Sequence, residues 1–144
     1  MGAFVDILNF IGVSVLVVFI CGCAGTYRSP DLVEGEEFSV VNVKSNWRQE
    51  PYIVRVDGKS RGFGTFDRYE VPPGVRAITA SMSSRWQANL ITKCFLARAG
   101  QSYLFVGEVD TNFLDTKGTW SFRINDKTGM DVSAPCSVRL SNEK

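Results

Sequence analysis

Hydrophobic and polar positions divide this chain into one apolar run followed by a series of short alternating segments. Ile7 to Ile20 carries no charge and is dominated by Ile, Leu, Val and Phe, the length and character of the core of an export signal. Periodicity then disappears. Gly25, Ser29, Pro30, Gly35 and three glutamates between Ala24 and Glu37 predict an exposed tether, able to reach roughly 40 Å when fully extended.

Strand signals follow one another from there. Phe38 to Val43 is the first and Tyr52 to Val56 the second, with Tyr52, Val54 and Val56 expected on one face. Asp57-Gly58 closes the second run, and this dipeptide suits a type I′ turn because both central positions need positive φ. A short strand around Gly62 to Phe66 is expected to pair back. Val71-Pro72-Pro73-Gly74 stops any ladder and turns the chain into Val75 to Met82, where Ile78, Ala80 and Met82 are expected inward.

The stretch Ser84 to Ala99 supports two readings. Ser84 and Gln87 make a capping box, with Trp86, Leu90, Cys94 and Ala97 on one helical face; as a strand it puts Trp86, Ala88, Leu90, Cys94 and Leu96 together. Its second half is read as strand, because Ala99-Gly100-Gln101 then turns into Tyr103 to Val106, which is β by composition. Further strands are expected at Thr119 to Ile124, with Trp120, Phe122 and Ile124 on one face, and at Ser133 to Leu140. The whole predicts an all-β fold, a small β-sandwich of about seven strands over 38–144, after an N-terminal hydrophobic segment.

The apolar run ends at Ile20-Cys21-Gly22-Cys23, which resembles a lipobox: a branched apolar residue, a tolerant position and a small residue before the cysteine that takes the lipid. On that resemblance 1–22 is a lipoprotein signal peptide, Cys23 is the acceptor, and 23–37 is the lipidated cysteine with its tether. The membrane, through the lipid anchor, is then a partner. Ala24 stands where an Asp often retains such proteins in the inner membrane, so the resemblance favours the outer membrane of the cell envelope. One feature disagrees: the first six residues hold no Lys or Arg and do hold Asp6. The competing reading is an uncleaved span from Ala3 to Ile20, with Arg28 as first basic flank and a cytoplasmic β-domain.

Composition narrows the chemistry. Lys plus Arg number 16 against 15 Asp plus Glu, without long runs of one sign, so no nucleic-acid partner is expected. Histidine is absent, which removes the usual general base and the commonest metal ligand. No cofactor and no metal site are expected. Beyond the signal region only Cys94 and Cys136 remain, an even pair that predicts a disulfide in an oxidising compartment. In the chain-entropy picture its loop of about 43 residues is worth roughly 4 kcal/mol. Two buried thiols are the alternative.

Tyr52-Ile53-Val54-Arg55-Val56-Asp57-Gly58-Lys59, Gly62, and Tyr69-Glu70-Val71-Pro72-Pro73-Gly74-Val75-Arg76-Ala77-Ile78 together resemble the PEGA-like β-modules of bacterial envelope proteins. There a strand ending in Asp-Gly-Lys precedes a Pro-Gly turn. The resemblance covers roughly half the chain and rests on turn formers, whose reason is backbone geometry. Arg76 stands where such lipoproteins often carry histidine. The resemblance implies an envelope protein of sandwich type, usually without enzymatic activity, whose partner is an envelope protein or a cell-wall polymer.

For a binding surface the candidates are Phe63, Phe66 and Tyr69 around the glycine-rich hairpin, with Trp47 and Trp86 near loops, since loop aromatics serve recognition. Against these stands the alternative that each fills the core. For a small envelope hydrolase the candidates are weaker. Asp57, Asp67 and Glu70 lie near one hairpin and Glu108 with Asp110 at a strand end, but arginines surround them. Ser60 and Lys59 are strand neighbours and point apart. A non-enzymatic, membrane-anchored binding or structural domain is the expectation.

Overall fold

The computed structural model describes residues 25–44, 51–82, 89–110 and 119–137. Among these, ten strands run in chain order: β1 (Gly25–Arg28), β2 (Ser39–Val43), β3 (Pro51–Val56), β4 (Lys59–Ser60), β5 (Phe66–Val71), β6 (Gly74–Met82), β7 (Ile91–Ala97), β8 (Ser102–Asp110), β9 (Thr119–Asn125) and β10 (Ala134–Pro135). They form two five-stranded sheets, ordered β1-β5-β2-β8-β9 and β10-β7-β6-β3-β4. The all-β expectation holds, as a sandwich-like pair of sheets with more strands than the seven expected.

Alternation explains why two sheets form and why they face each other. One face of the first sheet presents Tyr27, Val41, Tyr69, Val71, Phe105, Phe122 and Ile124; one face of the second presents Ile53, Val56, Ile78, Ala80, Phe95 and Ala97. Burying each large apolar side chain between them is worth about 1.5–3 kcal/mol. Sequence neighbours often do not share a sheet. The chain crosses between layers after β2, β4, β5, β7 and β9, while β3–β4, β6–β7 and β8–β9 remain as adjacent antiparallel pairs.

Turn chemistry sets both the hairpins and the crossings. Asp57 and Gly58 take φ of 50° and 77°, as the predicted type I′ turn requires, and the Asp57 carboxylate accepts from Ala77 N at 2.8 Å and from Arg76 at 3.1 Å. The crossing from β7 to β8 is locked from both layers. The Tyr103 hydroxyl accepts from Arg98 N and donates to the Leu96 carbonyl, and the Ser39 hydroxyl donates to the Arg98 carbonyl at 2.7 Å. The expected bridge is present: Cys94 on β7 is joined to Cys136, with Cα atoms 4.8 Å apart, tying β10 to its neighbour.

Several expectations are corrected. The stretch 23–37, read as tether, contains β1 at Gly25–Arg28, which pairs in parallel with β5. Tyr27 is the cause: its ring is buried 5.4 Å from Tyr69 and 6.0 Å from Phe66, anchoring a segment whose glycine and polar residues conceal it. The return strand expected at Gly62–Phe66 is instead the two-residue β4, because Gly62 and Gly64 take φ of 77° and 124° and swing the chain to the other sheet. Tyr52, Val54 and Val56 do not share a face. A bulge between Ile53 and Arg55 inverts the alternation, so Ile53 and Val56 point inward and Tyr52 outward. Of the last strand expected at 133–140, Ala134–Pro135 is present among the described residues.

Candidate functional site

The polypeptide between β4 and β5, Arg61-Gly62-Phe63-Gly64-Thr65, crosses the open flank where the edge strands β4 and β1 of the two sheets meet. Two left-handed glycines make a tight tip and leave Phe63 at its apex, with its side chain entirely in solvent (105% exposed). Behind the tip, Arg61 is the brace. Its guanidinium lies 5.4 Å above the Phe66 ring and 5.7 Å above Tyr52 and donates to the Gly64 carbonyl, while the Arg61 backbone N–H donates to the Val54 carbonyl at 3.2 Å. Cation–π contacts of this kind contribute about 0.5–1 kcal/mol each where partly exposed.

Beneath the brace the aromatics belong to the core. Phe66 meets Tyr27 and Tyr69 edge-on, at 6.0 and 6.1 Å. Burial pushes the Tyr69 hydroxyl up to about 12, against the pull of the Arg61 charge. Burial likewise raises Tyr27, which senses Lys59, Asp57 and Asp31 around it. Lys59 in turn pairs with Asp31 across the flank. The first strand is stitched to the same loop, since Gly25 N donates to the Thr65 carbonyl at 3.0 Å.

The aromatic candidates therefore separate. Phe63 is a free apex, Phe66 is half-buried beneath Arg61, and Tyr69, at 2% exposure, is a core residue and not a loop contact. Trp47 and Trp86 lie outside the described residues, as does the Ser84–Gln87 capping box. The strand ends flanking them, Val43 with Pro51 and Met82 with Ile91, are at the same end of the sandwich as the Phe63 loop. Cys23 also lies outside the described residues.

Of the carboxylates considered for hydrolysis, Asp57, Glu70 and Glu108 are engaged elsewhere. Asp57 holds its turn, Glu70 sits between Arg28 and Arg68 at 3.8 and 3.2 Å, and Glu108 pairs with Arg123 at 2.8 Å. Among the described residues no group of three His, Cys, Asp or Glu is placed to hold a metal ion. At the opposite end, a half-open groove of about 550 Å³ includes Leu96, Arg98, Tyr103, Asp126, Lys127 and Val132. Two of its polar side chains serve the local backbone. Tyr103 serves the β7–β8 turn, and Asp126 is held below the usual carboxylate range by the Thr128 hydroxyl together with backbone N–H groups of its own loop.

One inward-facing charge escaped the sequence reading. Lys93 lies on the core side of β7, paired with Ile78, and its ammonium donates to the Phe122 carbonyl and rests 5.3 Å over the Phe122 ring. Only the opposite face assignment of β7 would have pointed to it, with Phe95 and Ala97 inward in place of Cys94 and Leu96. No protein-family model, curated protein or solved structure matches the chain.

Proposed function

We propose that this chain is a lipoprotein of the bacterial cell envelope, anchored through Cys23, whose β-domain is a non-enzymatic binding or structural module on the extracytoplasmic side. The observation that carries the reading is the coincidence of two features: the apolar run ends on Ile20-Cys21-Gly22-Cys23, and the two remaining cysteines are bridged. Disulfides persist outside the cytoplasm and are rare within it. Together these favour export over the uncleaved span with a cytoplasmic domain, which Asp6 and the uncharged start would otherwise suit.

Support for a module without catalysis comes from Asp57, Glu70 and Glu108, each paired or holding a turn, and from an exposed aromatic apex on a braced loop. The PEGA-like pattern of turn residues points the same way, toward a wall polymer or an envelope protein as partner. The absence of an early Asp after Cys23 favours the outer membrane. The test is the intact mass of the membrane-fraction protein expressed with its native N-terminus, beside Cys23→Ala. Residues 23–144 plus diacylglycerol, with a gain of two hydrogens on reduction, is the expected result. An unmodified full-length mass that Cys23→Ala leaves unchanged apart from the substitution overturns the lipoprotein reading.

A further inference from the structure

We infer that the domain lies directly on the membrane surface, with Phe63 inserted among the lipid headgroups. This rests on the membrane anchor proposed above, and adds an orientation and a contact surface to it. The key observation is how little free chain separates anchor and fold. β1 begins at Gly25, two residues after Cys23, and two residues span at most about 7 Å. The long spacer that the composition suggests is not there: the chain is already in the sheet.

The same residue fixes which part of the domain meets the bilayer. Gly25 N is bonded to the Thr65 carbonyl at 3.0 Å, and Thr65 is two residues from Phe63. Cys23 and the apex are therefore held within about 20 Å of each other by covalent and hydrogen-bonded links. With Cys23 at the headgroup level, the flank carrying the Phe63 loop faces the lipid. The opposite end, where Gly74 and Val75 begin β6, faces away.

The chemistry of the loop fits that position. Phe63 touches nothing of its own protein, and glycines on either side, both at positive φ, hold it clear of the surface. Arg61, braced on Phe66 and Tyr52, keeps the loop ordered before contact, so little is lost on insertion. Arg61 is the cation of the loop itself, since Lys59 and Arg68 are paired with Asp31 and Glu70, and it stands where an anionic headgroup can meet it. A lone exposed apolar side chain is ordinary on a soluble surface. One projecting beside the point where the chain enters the membrane has a lipid phase within reach.

The experiment uses the full-length chain purified from membranes, carrying Phe63→Cys labelled with an environment-sensitive fluorophore. It is reconstituted in vesicles of phosphatidylethanolamine and phosphatidylglycerol, with Val75→Cys as the distal comparison. The intact mass is recorded on the same samples, which reports the state of Cys23 and that the label sits on the introduced thiol. A nitroxide placed near the headgroup of the lipid is expected to quench the label at 63 at least threefold more than at 75. Aqueous iodide is expected to show the reverse order. Equal quenching at the two positions, with lipid present on Cys23, overturns the docking while leaving the anchor intact. A mass without lipid removes the lipoprotein reading, and the same quenching ratio still decides the docking, because Ile20 ends its apolar run only five residues before Gly25.

Discussion

Gly107 should be the least replaceable small residue in the described fold. It lies on the inner face of β8, paired with Phe122, and a β-carbon there would sit 2.5 Å from Pro51 Cδ, 3.0 Å from its Cγ and 3.3 Å from its nitrogen. Those atoms belong to a closed ring at the start of β3 in the other sheet, so no side-chain rotation relieves the overlap. The layers themselves must part. Overpacking of this kind costs about 1–3 kcal/mol, and the rigidity of the ring argues for the upper end. Replacing a strand glycine by alanine returns about 0.5–1 kcal/mol of backbone entropy. Gly107→Ala is therefore expected to destabilise by about 2 kcal/mol, or lower Tm by about 8 °C for a domain of this size. Urea unfolding of the detergent-solubilised protein with its disulfide intact measures it. The cycle with Pro51→Ala is the decisive arm, because it removes Cγ and Cδ; in that background Gly107→Ala should become neutral or mildly stabilising. If Gly107→Ala costs the same with and without the proline ring, the reasoning is wrong.

Other outcomes follow from particular contacts. Replacing Cys94 and Cys136 together by alanine should lower stability by up to about 4 kcal/mol relative to the oxidised parent, read as a urea midpoint and matched by the reduced parent, since the bridge closes a sequence separation of 42 residues. Tyr103→Phe removes one hydroxyl that both accepts from Arg98 N and donates to Leu96 O; about 1–2 kcal/mol of destabilisation is expected by the same assay, and an unchanged midpoint would show the turn is held by Ser39 alone. Tyr69, with its hydroxyl pushed up to about 12 by burial, stays protonated in the fold while the unfolded chain loses that proton near pH 10. Stability should therefore fall as pH rises from about 10 to 12, and the fall should be smaller in Tyr69→Phe, where only the buried Tyr27 contributes, as unfolding midpoints at pH 9 and pH 11.5 would reveal.

The residues explain which parts of this fold were legible in the sequence. Asp57-Gly58, the Pro72-Pro73-Gly74 break and the alternation of Trp120, Phe122 and Ile124 are local signals, and each appears where local reasoning puts it. The pairing of Cys94 with Cys136 was readable as an expectation from parity alone, and the fold supplies the proximity. What could not be read depends on partners distant in sequence. Tyr27 makes a strand of four residues only because Tyr69 and Phe66 receive its ring. The bulge at Val54 inverts a pattern whose residues alone favour the other face. In the candidate site, the glycines announced a tip with an aromatic, but nothing in the spacing said that Tyr69 would be core and Phe63 free, because that is decided by which sheet receives the chain after β4.

The position of β2 has a consequence for the order in which the protein can assemble. This strand is inner in its sheet, hydrogen-bonded on one side to β5 and on the other, in parallel, to β8. Val40 thus waits for Ser102, about 60 residues downstream, and loops of that length close slowly compared with hairpins. A chain emerging N-terminus first can form the β3–β4 and β6–β7 hairpins early and pair β5 with both β1 and β2, yet β2 lacks its second neighbour until β8 has emerged. The first sheet is completed late, and a chain that stops before β8 leaves Val40 and Val41 on an unpaired strand edge, the kind of surface that recruits other chains.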